Sequence, residues 1–208
     1  HLAFTSPDPS PGGFSGLSLA PYGLTLRASA GSKVPWDEAR AEEAWTRMRL
    51  RHYAGDGRSL DERSWDYFLK DYAMARSWMG MEEVSHATAL ASAPENRGKN
   101  GARVRELYQK GLSHFVWAEF WDKDNAQYPL AIGRVFYGLG DDRRGMKWAQ
   151  KALQADPKNA EAFFLEGIMA YRSGDERSAE ASLGQALALN PRYTQAAQAL
   201  QYLRQHPV

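Results

Sequence analysis

A spacing of 34 residues recurs through the second half of the sequence. Pro157 and Pro191 lie 34 residues apart, and six further matches share this offset. The matches are Asn125-Ala126 with Asn159-Ala160, Gly133 with Gly167, Gly140 with Gly174, Asp141 with Asp175, Ala152 with Ala186, and Leu153 with Leu187. A fixed period of this length indicates a small structural unit that stacks on its neighbours, because one such unit cannot bury its apolar face alone.

The residue types at the repeated positions predict that each unit is a pair of helices. Gly140 and Gly174 can adopt the left-handed conformation that ends a first helix. The aspartate after each of these glycines begins the turn into a second helix. Pro157 and Pro191 stop that second helix, since proline cannot continue one. Asn159 is placed to cap the helix that comes next.

The repeat pattern resembles the tetratricopeptide repeat (TPR) family, in which a glycine, a Gly-Asp turn, an Ala-Leu pair and a closing proline recur. The resemblance implies an all-α fold, a TPR-like solenoid of helix pairs. One repeat covers residues 126–157 and the next covers 160–191, and Thr194–Gln205 is predicted to be the polar capping helix that a solenoid needs.

Three residues depart from the family pattern. Gly145 stands where alanine is usual, Pro129 where tryptophan is frequent, and Glu166 where leucine is preferred. Pro129 falls in a first helical turn, where proline is tolerated. We expect local adjustment at these positions and an unchanged fold.

In the TPR family the first helix of each pair lines a concave groove, and the resemblance places such a groove on the two clear repeats and the cap. Its predicted partner-binding residues share one face of each first helix. They are Gln127, Leu130, Arg134, Tyr137, Glu161, Phe164, Ile168, Tyr171, Arg172, Gln195, Gln198 and Tyr202. This mixture of aromatic, aliphatic and a few charged side chains suits an extended peptide with apolar anchors.

The Lys/Asn arrangement of TPR proteins that bind chaperone tails is not matched at the critical groove positions. Leu130, Arg134, Phe164 and Ile168 stand there instead. The groove is therefore not expected to bind a free acidic carboxyl terminus. An alternative left open is that a neighbouring helix or the amino-terminal arm covers Phe164 and Ile168.

Residues 1–35 differ from the rest of the chain, because they hold five of its ten prolines and few charges. The alternate prolines of Ser6–Gly13 favour polyproline-like extension. Between Phe14 and Leu26, apolar residues recur at mostly even spacing, as on one face of a strand. We predict an extended Pro/Gly-rich amino-terminal arm, which packs either on its own domain or on a partner.

Residues 36–125 are predicted to be a divergent helical region that precedes a repeat domain over 126–208. One helix is expected over Asp37–Tyr53, a second after Asp61 with an interruption at Gly80, and a third from about Ala102 to Trp121. Ala89-Leu90 and Pro94 have the spacing of the closing elements of the later repeats. Residues 63–94 are therefore a candidate degenerate TPR.

Composition excludes several chemistries. The chain has no cysteine, which excludes disulfides, cysteine-ligated zinc and a cysteine nucleophile. Its five histidines form no HExxH motif, and the sequence lacks a complete phosphate-binding loop. We predict no catalytic residues, no metal and no cofactor.

The expected partners are other proteins, bound as extended peptides or as subunits of a hetero-complex or an oligomer. A net charge of +1 gives no reason to expect nucleic acid. No apolar run approaches the roughly 18–20 residues of a membrane span. The first residue is His1, which is compatible with a removed leader, and a periplasmic or otherwise exported location is expected ahead of a cytoplasmic one.

Three functions stay open at this point. The first is a non-enzymatic bacterial TPR adaptor, scaffold or assembly factor. The second is a structural subunit of a bacterial envelope or filament assembly, whose arm holds a neighbour. The third is an enzyme or ligand-binding protein with its site in the Trp-rich residues 36–121. A continuous apolar core through Trp45, Trp65, Trp78 and Trp117 would count against the third.

Overall fold

The computed structural model describes residues 17–22, 25–30, 62–93 and 100–206. Seven helices account for most of this part of the chain. They are α1 (Glu62–Ser92), α2 (Gly101–Trp121), α3 (Gln127–Leu139), α4 (Asp142–Ala155), α5 (Ala160–Arg172), α6 (Glu176–Leu189) and α7 (Thr194–Gln205). The predicted all-α solenoid is confirmed, and α3 to α7 coincide with the two predicted repeats and the closing helix.

The turns inside the two repeats have the predicted geometry. Gly140 and Gly174 have φ angles of 78° and 81°, in the left-handed region that favours glycine. The next residue in each repeat caps the second helix of its pair. Asp141 accepts a hydrogen bond from the backbone N–H of Arg144 at 3.0 Å, and Asp175 accepts one from the backbone N–H of Ser178 at 3.0 Å. The same local chemistry therefore ends and restarts a helix in both repeats.

The two capping aspartates predict an acid sensitivity. Hydrogen bonds from the backbone and side chain of Arg144 hold the pKa of Asp141 below its ordinary value of 3.8, and those from Ser178 do the same for the pKa of Asp175. A pKa that is lower in the folded state gives stability that is present above the ordinary value and is lost as the pH falls through the folded value. Thermal unfolding followed by circular dichroism should therefore show a midpoint that drops in strongly acidic solution.

The matched variant for this measurement is Asp141→Asn with Asp175→Asn. Asparagine keeps a capping oxygen but does not titrate, so the acid-induced drop should be smaller in the double variant. An unchanged drop would contradict the assignment of acid sensitivity to these caps.

Helix stacking in the repeats depends on small residues. Ala149, Ala152, Ala179 and Ala186 are fully buried where successive helices meet. Gly145, which departs from the family pattern, faces Met169: a Cβ at this position would lie 2.5 Å from the Met169 sulfur. The larger Met169 side chain thus fills the volume that alanine occupies in a regular repeat.

Glu166, which stands in place of a preferred leucine, has two polar partners. Its Oε1 accepts a hydrogen bond from Gln150 at 3.2 Å, and its Oε2 accepts one from the Ser182 hydroxyl at 3.0 Å. These contacts join α5 to both α4 and α6. Where the family pattern has leucine, this chain therefore has a carboxylate that joins three helices through hydrogen bonds.

The long helices α1 and α2 form an antiparallel pair, and they correct two predictions. The helix continues without a break from Glu62 to Ser92, so Gly80 does not interrupt it and residues 63–94 are not a helix–turn–helix repeat. Gly80 instead lies at the crossing with Gly111. A Cβ on Gly80 would lie 2.9 Å from the Phe115 ring, and one on Gly111 would lie 3.1 Å from the Gly80 carbonyl oxygen. The glycine allows a close approach of two helices and does not end one.

The pair α1–α2 continues into the repeats. Leu107, Gly111, Phe115 and Ala118 share one face of α2, and all four are buried. Phe115 and Leu107 share a core cluster with Ile132, Val135 and Phe136 of α3. The stack of helices therefore extends across the predicted boundary at residues 125 and 126.

Two strands, β1 (Leu17–Tyr22) and β2 (Thr25–Ala30), lie in the predicted arm. They pair antiparallel, with Leu17 opposite Ala30 and Tyr22 opposite Thr25. The extended character of the arm is thus seen in these residues, but as two paired strands and not as one. The backbone of β1 comes close to α1. The predicted helix over 37–53, the Pro-rich residues 6–13, Trp45 and the side chain of Trp65 lie outside the described residues.

Candidate functional site

The first helices of successive pairs form one face of the stack. Helix α3 contacts α5, and α5 contacts α7. We call the face that α1, α3, α5 and α7 share the inner face. Among residues 62–93 and 100–206, two clefts open on this face, one towards the carboxyl-terminal end of the stack and one towards the amino-terminal end.

The tyrosine cleft is the one at the carboxyl-terminal end, with a volume of about 450 Å³. Three tyrosines from α3, α5 and α7 surround it: Tyr137, Tyr171 and Tyr202. Its apolar floor consists of Ile168, Leu183 and Ala199, and its polar lining consists of Arg172, Gln195 and Gln198. A cleft of this size with an apolar floor and a few polar groups has the usual character of a binding site.

Contacts around the last turn of α7 hold two of the tyrosine rings in place. The Tyr171 hydroxyl donates a hydrogen bond to the His206 carbonyl oxygen at 3.0 Å. The rings of Tyr171 and Tyr202 meet edge to face with centroids 6.0 Å apart, and Tyr202 stacks on the His206 ring at 4.3 Å. Tyr202 is nevertheless 54% exposed. The cleft therefore presents ordered aromatic surface to solvent.

Arg172 is fixed beside the third tyrosine. Its Nε lies 3.2 Å from Asp142 Oδ2, and its guanidinium carbon lies 4.8 Å from the centre of the Tyr137 ring. The ion pair offsets the positive charge, and the stacking orients the guanidinium plane. Arg172 thus offers directed hydrogen-bond donors with little net charge.

The methionine cleft lies between α1 and α3 and has a volume of about 470 Å³. Its apolar lining consists of Met74, Met81, Val84, Phe115, Tyr128 and Ala131. Polar groups at its edge include Asn125, Gln127 and Arg134. Methionine side chains are flexible and polarisable, so this cleft can adapt to apolar side chains of different shape.

An ion pair lies between the two clefts. Arg134 at the edge of the methionine cleft pairs with Glu161 at the first turn of α5. Burial lowers the pKa of the Arg134 guanidinium, and the nearby Tyr193 opposes that shift. A pair this exposed contributes only about 0–1 kcal/mol to stability. Its main consequence is that the middle of the inner face carries no free cation from Arg134.

The structure distributes the predicted groove residues over several settings. The tyrosine cleft brings together seven of them: Tyr137, Ile168, Tyr171, Arg172, Gln195, Gln198 and Tyr202. Gln127 and Arg134 line the methionine cleft, and Glu161 pairs with Arg134. Leu130 and Phe164 have other surroundings, described next.

Leu130 and Phe164 do not line either cleft. Leu130 is only 1% exposed and packs in a core cluster with Ala149, Leu165 and Met169. Phe164 is half-buried, and the Tyr193 ring covers part of it at 5.1 Å. The alternative that a neighbouring helix covers Phe164 is thus the observed arrangement, whereas Ile168 stays in the cleft.

Sequence reasoning missed the α1 side of the methionine cleft. Met74 and Met81 are seven residues apart and so lie on one face of α1. That spacing was the available signal, but an expected break at Gly80 separated the two residues. Leu183 was also missed because it lies on α6, the second helix of its pair, whereas the groove was predicted from first helices. Ala199 lies on α7 beside Gln198, but it was not among the predicted groove residues.

Of the four tryptophans that would mark an apolar core in the Trp-rich region, the structure describes the side chains of Trp78 and Trp117. Trp78 is half-buried, whereas Trp117 is 46% exposed and contacts Phe120 edge to face at 5.9 Å. Among the described residues, no three His, Asp or Glu side chains converge in a way that could hold a metal ion. None of the described helices has the length and apolar character needed to cross a membrane.

No protein-family model and no curated protein matches the chain. Among solved structures, the Arabidopsis OM64 TPR domain is 22% identical over 60% of this chain and 98% of that one, with a TM-score of 0.47. The second TPR domain of human RPAP3, solved with an HSP70 peptide, is 20% identical over 57% and 98%, with a TM-score of 0.46. The Sgt2 TPR domain from Aspergillus fumigatus is 16% identical over 61% and 77%, with a TM-score of 0.48.

The geometry of residues 126–191 agrees with the family resemblance of the sequence. Two units of the same 34-residue length each form a helix pair, with the same left-handed glycine, the same aspartate cap and the same buried alanine, Ala152 or Ala186, in the second helix. All of these features are observed in residues 126–191 of this chain. Residues 126–205 therefore form the solenoid of helix pairs and closing helix that the resemblance to tetratricopeptide repeats predicts.

Proposed function

We propose that this chain is a non-enzymatic interaction module that binds extended segments of other proteins on its inner face. The observation that carries the proposal is the tyrosine cleft. It combines exposed, ordered aromatic rings with an apolar floor and amide and guanidinium donors. Aromatic and arginine side chains dominate binding energy at protein interfaces. The role is that of an adaptor, scaffold or assembly factor, in a bacterial setting.

The charge of the inner face supports a segment with apolar anchors over one with an acidic end. Arg134 is paired with Glu161, and Arg172 is paired with Asp142. A free carboxylate would have to compete with these carboxylates for the same guanidinium groups. The apolar parts of both clefts instead favour aliphatic, aromatic or proline side chains.

The proposal predicts that Tyr171→Ala with Arg172→Ala weakens partner binding strongly. The double variant removes an aromatic wall and the oriented donors of the tyrosine cleft. A loss of about 2 kcal/mol or more is expected for central aromatic and arginine anchors, which is roughly thirtyfold in affinity at 1.4 kcal/mol per tenfold. Binding of an isolated partner would be measured by titration calorimetry, with circular dichroism to check the fold of the variant.

Partners for that titration can be found by photo-crosslinking. A photoreactive residue at Gln198 in the tyrosine cleft should capture the bound segment, and one at Gln185 on the exposed side of α6 serves as the matched control. Both positions are exposed glutamines on neighbouring helices. Equal capture from the two positions, or full binding by the double variant, would refute the assignment of the binding face.

A further inference from the structure

The chain carries within its own sequence a segment that fits the tyrosine cleft. Residues 6–11 read Ser-Pro-Asp-Pro-Ser-Pro, with proline at every second position. We propose that the tyrosine cleft of one copy binds the Pro-rich segment 6–11 of a second copy. The proposal rests on the peptide-binding function proposed above and names the ligand of that cleft.

The first argument is the match of surfaces. A segment with alternate prolines favours the polyproline II conformation, which is extended and stiff and therefore loses little entropy on binding. Aromatic-lined grooves are the general means of recognising such segments, because flat proline rings pack on aromatic faces. In the tyrosine cleft the perpendicular rings of Tyr171 and Tyr202 stand above a floor that includes Ile168 and Leu183.

The second argument is the match of hydrogen-bonding groups. Prolines have no N–H, so segment 6–11 offers mainly carbonyl acceptors. The cleft offers donors from the NH2 groups of Gln195 and Gln198 and from the Arg172 guanidinium. These donors can satisfy carbonyl oxygens of the segment that binding removes from water.

The third argument is charge. Arg172 is the one charged side chain that lines the tyrosine cleft in the described part of the chain. Asp8 is the one charged residue in segment 6–11. Arg172 is held by Asp142 through its Nε and donates from Nη1 to the Tyr137 carbonyl oxygen at 3.4 Å. Asp8 would therefore share an oriented guanidinium with these two partners, and charge contributes less than the first two arguments.

The fourth argument is reach, and it favours a second copy over the same one. The backbone of β1 approaches α1, at the far end of the stack from the tyrosine cleft. Neighbouring helix axes are about 8–10 Å apart, so the centre of the cleft lies roughly 20–25 Å away across α3 and α5. In the polyproline II conformation, at about 3.1 Å per residue, the stretch from Pro9 to Leu17 would span roughly 25 Å. Binding to the cleft of the same copy would use the whole span of this stretch. Binding to the cleft of a second copy does not depend on the length of the stretch.

Such binding joins unlike ends of two copies. The arm of one copy occupies the cleft of the next, whose own arm is available for a third copy. A head-to-tail interface of this kind produces a ring or an open filament, and it does not stop at a symmetric dimer.

The test uses the full chain and two variants in sedimentation velocity over a wide range of concentrations. The wild-type weight-average mass should rise with concentration. Tyr202→Ala in the cleft, and the triple change Pro7→Ala, Pro9→Ala and Pro11→Ala in the arm, should each lower the association constant about tenfold or more. Gln185→Ala and Pro35→Ala are the matched controls and should associate like the wild type.

A mixture of the two variants discriminates the proposal further. The arm variant has an intact cleft and the cleft variant has an intact arm, so a mixture should form a heterodimer and no larger species. Wild-type mass that stays monomeric at all concentrations, or a mixture with no heterodimer, would overturn the proposal.

Crosslinking identifies the occupant and separates this proposal from the more general one. With a photoreactive residue at Gln198 in mixed isotope-labelled and unlabelled copies, the proposal predicts crosslinks between residues 6–11 of one isotope and the cleft of the other. Crosslinks only within one isotope would overturn it in favour of binding within the same copy. A crosslink to a different protein alone would overturn it and leave the proposed function standing. No capture by the cleft at all would overturn both.

Discussion

Phe115→Ala is expected to lower the free energy of unfolding by about 3–5 kcal/mol, the range for phenylalanine truncations in a packed core. The Phe115 side chain is 2% exposed and belongs to the cluster that joins α1, α2 and α3. Its removal deletes apolar contacts with three helices and leaves a cavity that the long pair α1–α2 cannot easily close. The loss would be measured by urea denaturation followed by circular dichroism, with a change in midpoint and little change in slope.

Phe120→Ala is the matched control for this prediction. Phe120 lies five residues further along the same helix, but it is 53% exposed. It contacts Trp117 and Trp121 edge to face, and Lys123 Nζ lies 5.9 Å from its ring centre. The loss of these exposed contacts should cost no more than about 1 kcal/mol. Equal destabilisation by the two changes would show that the core cluster around Phe115 is wrongly assigned.

Gly111→Ala is expected to destabilise the protein by about 1–3 kcal/mol, although alanine is the better helix former. A Cβ at Gly111 would lie 2.8 Å from Val84 Cγ2 and 3.1 Å from the Gly80 carbonyl oxygen. The valine methyl can move slightly, but the carbonyl belongs to the backbone of the crossing helix. Helices α1 and α2 must therefore separate to admit one methyl group, which loosens every contact along the pair.

Gly184→Ala is expected to have the opposite effect on stability, although Gly184 also lies inside a helix. Gly184 lies in α6, and a Cβ there would meet no atom within 4 Å. Alanine should stabilise this helix by about 0.5–1 kcal/mol, because it lowers the entropy of the unfolded chain. Urea denaturation of both variants should give shifts of opposite sign, and shifts of the same sign would contradict the helix crossing at Gly80 and Gly111.

The features of the fold that could be predicted are those that depend on local backbone chemistry. Gly140 and Asp141 mark a turn because of a left-handed glycine and a capping carboxylate, and both effects act within a few residues. Gly80 could not be interpreted in the same way. A glycine inside a helix and a glycine at its end look alike in sequence, and only the presence of Gly111 on the crossing helix distinguishes them.

The candidate site was predictable at the carboxyl-terminal turn of α5, where the last two side chains line the tyrosine cleft. Tyr171 and Arg172 end a helix and face the cleft as expected. Leu130 was misassigned because α3 is apolar on nearly all sides: Tyr128, Pro129, Ile132 and Val135 are buried as well. Helical spacing cannot select a face in such a helix. The methionine cleft could not be predicted, since it depends on how α2 positions α1 against α3.

The 34-residue repeat determines how this stack of helices could change in length. Asp156 at the end of the first repeat and Asn190 at the end of the second form the same turn, because each side-chain oxygen accepts a hydrogen bond from the backbone N–H two residues later, at 3.1 Å and 3.2 Å. A duplicate of one 34-residue unit would end on the same turn and would place the same buried alanine, equivalent to Ala152 and Ala186, at the next helix contact. The inner face could therefore become longer or shorter by whole repeat units, while each helix packs against the same type of neighbour.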